Sequence, residues 1–410
     1  MKTFTITAAV GMAFATIASA ECGIEAGSVR ILGNDFDAIS IVTDEARTCA
    51  SDDVEVTVNL TTEHKNIQVP ALSIDPAEYT VAIVANNSIV PLLNDGLIRP
   101  LDDLIARYGE DLSPQQMIRV GGETVAIAFM GNAQHLYFRS DVLEEAGVEP
   151  PETYEDVLAA AEAIRAAGIQ EHPLAATNAA GWYLAAEFVN MHLGMGGDFF
   201  EAGTAEPAIE NEAGVATLEM MKALSEYMGP DFLNYTADEM KALYLAGDVA
   251  IMNQWGSMAG AHIDGETSGN ADVSEATVLA AAPTVGGGSI PAAALWWDGF
   301  AIAANVSDED AAASFQAMLH ATRPEVAAAN PNAATWLIPG FEPTETSQAV
   351  LATARAGALA YPMTPQMGLL HTALGAELTD FMQGNETAEE ALADVAASYR
   401  VSAREAGFLQ

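Results

Sequence analysis

Alternation of strand and helix patterns along the first half of the chain is the feature that most restricts its fold. Residues 79–85, YTVAIVA, are apolar on both faces and end in the polar loop Asn86-Asn87-Ser88. A strand of that kind is covered on both sides, the habit of parallel sheets between helices. Residues 29–32 read as an earlier short strand, followed by Gly33-Asn34-Asp35 and a helical stretch to Cys49, and residues 54–60 alternate as a second strand. Helices are expected near 90–95 and 102–108. Residues 125–129 return as a strand, and the polar stretch 131–135 interrupts it before 136–138. Pro150-Pro151 stops the chain, and Thr153 with Asp156 at N3 caps a helix running to Ala167. The pattern predicts an α/β fold with ligand loops at the carboxyl ends of the strands.

Residues 236–256 carry the same grammar in miniature. Thr236 and Glu239 have capping-box spacing, and Met240, Leu243, Tyr244 and Leu245 form the apolar stripe. Gly247 suits a left-handed helix end. A short strand is then expected over 249–252, delivering Asn253, Gln254 and Trp255 on a polar exit loop.

At the N-terminus, Lys2, the apolar run 4–17 and Ala18-Ser19-Ala20 read as a secretory signal peptide over residues 1–20, cleaved after Ala20. Glu21 makes Cys22 a poor lipoprotein cysteine, and no later run is long enough for a membrane span. Export gives the two cysteines, Cys22 and Cys49, an oxidising setting. One disulfide between them would staple the mature N-terminus to the end of the first helix, structural because no C-x-x-C is present. Removing residues 1–20 leaves material for two ordinary domains. With 57 acidic against 15 basic residues, net −42, the surface repels nucleic acid and anionic lipid, so neither is an expected partner. Those acids are spread over helix faces, as in a solvated surface suited to salty surroundings.

Four stretches, in order and spanning nearly all of the mature chain, carry a family resemblance. They are YTVAIVANNSIVPLLNDGLIRPLDDL (79–104), LYFRSDVLEEAGVEPPETYEDVLAAAEAI (136–164), the helix-to-AIMNQWG stretch just described, and YPMTPQMGLLHTALGAELTDFMQGNETAEEALADVAASY (361–399), where Thr387 and Glu390 form another capping box. The chain resembles periplasmic solute-binding proteins of the carbohydrate-specific, maltose-binding-protein-like group that feeds ABC importers. That resemblance implies a type II two-lobed fold, each lobe a mostly parallel sheet flanked by helices, with the ligand in the interlobe cleft. It implies crossings near 130–133, 281–284 and 337–341. The N-terminal lobe is then 21–131 plus 285–336, and the C-terminal lobe 132–284 plus 337–410. The expected ligand is a mono- or oligosaccharide or polyol, the expected partners are membrane permease subunits, and the expected state is a periplasmic monomer without metal or cofactor. Hinge closure would select the bound state.

A sugar's hydroxyls need paired donors and acceptors, and its C–H faces pack on aromatic rings. On the family's loops the resemblance places Asn34, Asp35, Asn87, Asn132, Gln134, Trp182, Tyr183, Asn253, Trp255, Trp297, Asp298, Met367 and His371 as ligand contacts. His371 stands where disaccharide binders often carry a stacking aromatic, so a smaller sugar or polyol fits as well as a maltose-like ligand. One of Trp296 and Trp297 should face the core, Trp336 is read as hinge packing and His135 as structural. Asp35 and Asp37 lack the glycine and glutamate of a calcium loop. No G-x-S-x-G, H-E-x-x-H or P-loop is present, so a secreted glycoside-active enzyme is the weaker alternative. A binding protein for another polar or cationic solute is the nearer one, since Asp35 and Asp298 suit a cation.

Overall fold

The computed structural model describes residues 22–410, so the expected signal peptide lies outside the described residues. Twelve strands are formed: β1 (Gly27–Gly33), β2 (Val54–Leu60), β3 (Val81–Ala85), β4 (Met117–Val120), β5 (Glu123–Asn132), β6 (Gln134–Arg139), β7 (Leu174–Ala176), β8 (Ile251–Trp255), β9 (Thr277–Ala280), β10 (Ala294–Ile302), β11 (Thr335–Trp336) and β12 (Leu359–Ala360). They build two sheets. One has the order β11-β5-β10-β3-β1-β2, with β4 on β5 and β12 on β10, and the other the order β7-β8-β6-β9.

Each sheet is flanked by helices that the sequence terminates clearly. Thr153 and Thr387 close reciprocal capping boxes with Asp156 and Glu390. At Thr236 the hydroxyl accepts from the Glu239 amide, and Gly247 ends the helix at φ 84°. The α/β class is as expected, but the sheets are mixed rather than mostly parallel. Strands β1, β2 and β3 run parallel, whereas β10 is antiparallel to both β3 and β5. In the second sheet β7 and β8 are parallel, and β6 opposes both β8 and β9. β5 and β6 are one nearly continuous extended segment broken only at Ala133, which runs with β3 in the first sheet and against β8 in the second.

Two separate cores result. The first joins residues of β1, β3, β5 and the late part of β10, and includes Trp336 and Ile338. The second joins β6 and β8 with the helices Trp182–Gly194 and Met367–Met382. Val285, Ala292, Ala294 and Trp296 belong to this second core. The chain thus packs against the second core from Val285 into the first residues of β10. The Cys22–Cys49 disulfide is formed and ties the described N-terminus to the turn after the helix Asp37–Arg47. No helix of the described residues is long and apolar enough to cross a membrane.

Candidate ligand-binding cleft

Strand direction decides which loops meet. Because β1, β2 and β3 are parallel, the segments leaving them (Asn34-Asp35, the helix His64–Ser73, and Asn86-Asn87) lie along one sheet edge. Antiparallel β10 pairs Asp298 with Ala85 and Met130, and Trp297 with Gly131, so β10 starts and β5 ends at that same edge. In the second sheet, Gln134 pairs with Trp255, and Asn253 with Ala176. Only Ala133 separates the two edges, which places Trp255 and the segment after β7 across from the loops of the first sheet.

On the second side stands an aromatic wall. Trp182 opens the helix Trp182–Gly194, and its ring stacks on Trp255 with centroids 6.3 Å apart at 27°. Tyr183 meets Trp182 edge-on at 5.5 Å. Trp296 packs behind both rings, 5.7 Å from Trp182 and 5.8 Å from Trp255, and against Tyr361 at 4.3 Å. His371 fastens the arrangement. Its Nε2 lies 3.0 Å from the Trp182 carbonyl and its Nδ1 3.0 Å from the Tyr361 hydroxyl. A carbonyl only accepts, so Nε2 carries the proton and Nδ1 accepts from Tyr361. Burial lowers the imidazole pKa to about 4, which keeps it neutral. Glycine makes the approach feasible. A Cβ on Gly375, one turn beyond His371, would lie 2.7 Å from the Gly181 carbonyl oxygen.

Facing this wall from the first side is Lys65, whose Nζ lies 4.3 Å from the Trp182 ring centroid. Deeper in, burial alone pushes the Asp298 carboxyl up to about 7, and that carboxyl has no hydrogen-bond or ionic partner among the described residues. Asn86, rather than Asn87, fixes β10: its Oδ1 accepts from the Trp297 amide at 2.8 Å. Asn87, Tyr183, Trp182, Trp255, Trp297 and Asp298 are all half-buried, Asn34 is half-buried and Asp35 exposed. Trp296 is the core-facing member of its pair, 7% exposed, while Trp297 packs at the margin of the first core.

Five of the expected contacts are buried in this structure. Met367 is 1% exposed and belongs to the second core. His371 has both nitrogens engaged, as described, and acts on Trp182 instead. Asn132 fixes the loop after Trp255, bonding the Ser257 hydroxyl and amide at 3.1 Å each. Gln134 and Asn253 lie inside a buried polar network. There, Gln134 Oε1 accepts from Asn190 at 2.5 Å and from Asn253 at 3.0 Å, and its Nε2 donates to Thr177 at 2.6 Å. Thr177 in turn donates to Glu187, which also accepts from Asn253 at 3.2 Å. Burial pushes the Glu187 carboxyl up to about 7 against these bonds. Asn190 Oδ1 accepts from the Ala294 amide at 2.8 Å, so the network ties the start of β6 to the start of β10. Residues 131–132, 134–135 and 253–255 are strand rather than loop, and β6 and β8 pair through Gln134 and Trp255. Lys65, Glu187, Thr177, Asn190 and Tyr361 were not anticipated. For Lys65 the signal was present, since the segment after β2 shares the edge of the loops after β1 and β3.

His135 and Trp336 are structural as read. His135 is buried and stacked on Tyr137 at 4.5 Å, and Trp336 donates to the Asn330 carbonyl at 2.8 Å. One grouping of metal-type ligands occurs among the described residues, Cys22, Cys49 and His320, and its sulfurs are joined in the disulfide. Surface concavities of about 370 and 480 Å³ lie elsewhere, beside Gln348 and Arg355 and beside Glu212 and Glu389.

Solved structures with this architecture are numerous, and three are representative. A maltose-bound T. maritima MalE3 is 18% identical, with a TM-score of 0.78 over 92% of this chain and 100% of that one. A solute-binding protein of an ABC transporter from Agrobacterium radiobacter K84, in complex with ribitol, is 18% identical, with a TM-score of 0.76 over 91% and 98%. Another from Agrobacterium vitis S4, with bound D-mannitol, is 18% identical, with a TM-score of 0.74 over 93% and 99%. These likenesses concern the fold, which is that of two-lobed binding proteins. Residues 53–320, more than half of the chain, match the model of the bacterial extracellular solute-binding protein family. The chain belongs to that family.

Proposed function

We propose that the chain captures a carbohydrate or polyol between its two lobes and delivers it, in the periplasm, to the permease of an ABC-type importer, without chemical conversion. The observation that carries this reading is the juxtaposition at the cleft: the Trp182–Trp255 wall on one side, and Asn87, Trp297, Asp298 and Lys65 on the other. Flat rings receive the apolar C–H face of a sugar, and mixed donors and acceptors satisfy its hydroxyls. Maltose, ribitol and D-mannitol in the three structures of like fold support a polyhydroxylated ligand.

The lobes proposed here meet at three crossings: Asn132–Gln134, Trp296–Asp298, and the segment 338–343 between the first core and the helix Glu345–Arg355. The proposed contacts are Asn34, Asp35, Asn87, Trp182, Tyr183, Trp255, Trp297, Asp298 and Lys65. Closure around the ligand brings both sets onto it, and that differential contact shifts the hinge equilibrium. A thermal-shift panel of monosaccharides, disaccharides and polyols tests the reading. A member of the panel raises Tm with concentration and changes tryptophan emission. A panel without any shift would refute it.

A further inference from the structure

We infer that Lys65 is the residue with which the cleft reads ligand charge, and that the preferred ligand is a sugar bearing a carboxylate, such as a uronic or aldonic acid; this rests on the carbohydrate reading above. Lys65 belongs to the first lobe, on the helix His64–Ser73, whose Ala71 and Leu72 sit in the first core. Its ammonium nevertheless stands over Trp182, which packs against the second core.

Lys65 makes no ion pair, a trait it shares among the described residues with Arg107, Arg119, Arg165, Lys241, Arg355 and Arg404; what sets it apart is its place over the Trp182 ring. Acids outnumber bases 57 to 15, and Arg30, Arg99, Arg139, Lys222, Arg323 and Arg400 all make ion pairs. Lys65 makes none among the described residues. Glu63 acts on it through space, but its Oε2 accepts from Asn66 Nδ2 at 2.6 Å. Asp238 and Glu239 act on Tyr183 rather than on Lys65. Asp298 exerts no resolved influence on it either. Protein crowds the ammonium enough for burial to lower its pKa, although water still reaches the side chain.

A sugar laid on the Trp182 ring moves the ammonium off the ring face and removes more of its water. Leaving a cation without a partner in a closing cleft is costly, and a carboxylate on the sugar's rim supplies both the charge and the acceptors that the three N–H donors need. The large negative net charge does not forbid an anionic ligand, because salt screens remote charges beyond about 8 Å.

Titration calorimetry on the full mature chain tests this, with glucuronate, galacturonate and gluconate set against glucose, galactose and mannitol. The wild type should bind an acidic sugar at least tenfold more tightly than its neutral counterpart, with the preference shrinking in high salt. Lys65→Met and Lys65→Gln should abolish the preference, weakening acidic-sugar binding at least tenfold more than neutral-sugar binding, and Lys65→Arg should retain most of it. Circular dichroism checks that each variant is folded. A wild type that binds neutral sugars as well or better overturns the charge reading alone, as does a preference that survives in Lys65→Met. Absence of binding by every sugar, acidic or neutral, overturns the carbohydrate reading with it.

Discussion

Replacing Trp255 with alanine separates ligand contact from core packing, because the surrounding contacts divide cleanly. The Trp255 amide accepts no change: it donates to Gln254 Oε1 at 2.9 Å, and its carbonyl accepts from the Tyr137 hydroxyl at 2.7 Å, bonds that alanine keeps. What is lost is the half-buried ring stacked on Trp182. A sugar covering one ring face removes roughly 40–60 Å² of apolar surface, worth about 1–1.5 kcal/mol, and aromatic geometry adds about 0.5–1.5 kcal/mol. The sum of roughly 1.5–3 kcal/mol predicts a roughly 10- to 150-fold weaker Kd. Since the ring is only partly buried, the expected stability loss is about 2 kcal/mol, below the 3–5 kcal/mol of a fully buried tryptophan. Trp296→Ala, at the core-facing position, should show that larger loss. Calorimetric titration beside denaturant unfolding reads both quantities. A Trp255→Ala protein that binds within twofold of wild type, or that unfolds as readily as Trp296→Ala, would refute the assignment of Trp255 to the ligand.

Three further outcomes follow from the structure. Burial raises the folded-state pKa of Glu187 to about 7, above its ordinary value, so its protonated form favours the fold. That stability is present below about pH 4.5 and is lost as pH rises towards 7; Glu187→Gln should flatten the slope of unfolding free energy over this window by on the order of 1–3 kcal/mol relative to wild type. Gly375→Ala should push the helix Met367–Met382 away from Gly181, cost about 1–3 kcal/mol and weaken ligand affinity by displacing His371 from Trp182; unchanged affinity would detach the His371 contact from binding. Opening the Cys22–Cys49 loop with a Cys22→Ser/Cys49→Ser double variant should cost roughly 3 kcal/mol by chain entropy, read as a lower Tm, with affinity unaltered.

Local signals were the legible part of this chain. The strand at Val54–Leu60, the helix at Asp102–Tyr108 and the threonine caps at residues 153 and 387 appear where local pattern placed them, since propensity and capping act over a few residues. Long-range pairing was not legible. Gln134 and Trp255 look like loop residues among amides and glycines, yet each is held in a strand by the other. For the same reason Gln134 and Asn253 seemed free to meet a ligand while being committed to Glu187, a residue 66 positions from Asn253. A polar side chain in a sequence does not announce whether its partner is solute or protein. Lys65 errs in the other direction, because its neighbourhood arises only when two lobes approach.

Calorimetric titration of the purified mature chain with the strongest hit of the sugar panel decides whether an unmodified sugar binds at one saturable site. One site per chain, a heat that saturates and ligand recovered chemically intact after release are the expected result. Absence of saturable heat for every sugar and polyol, or turnover of a glycoside during the titration, would contradict it.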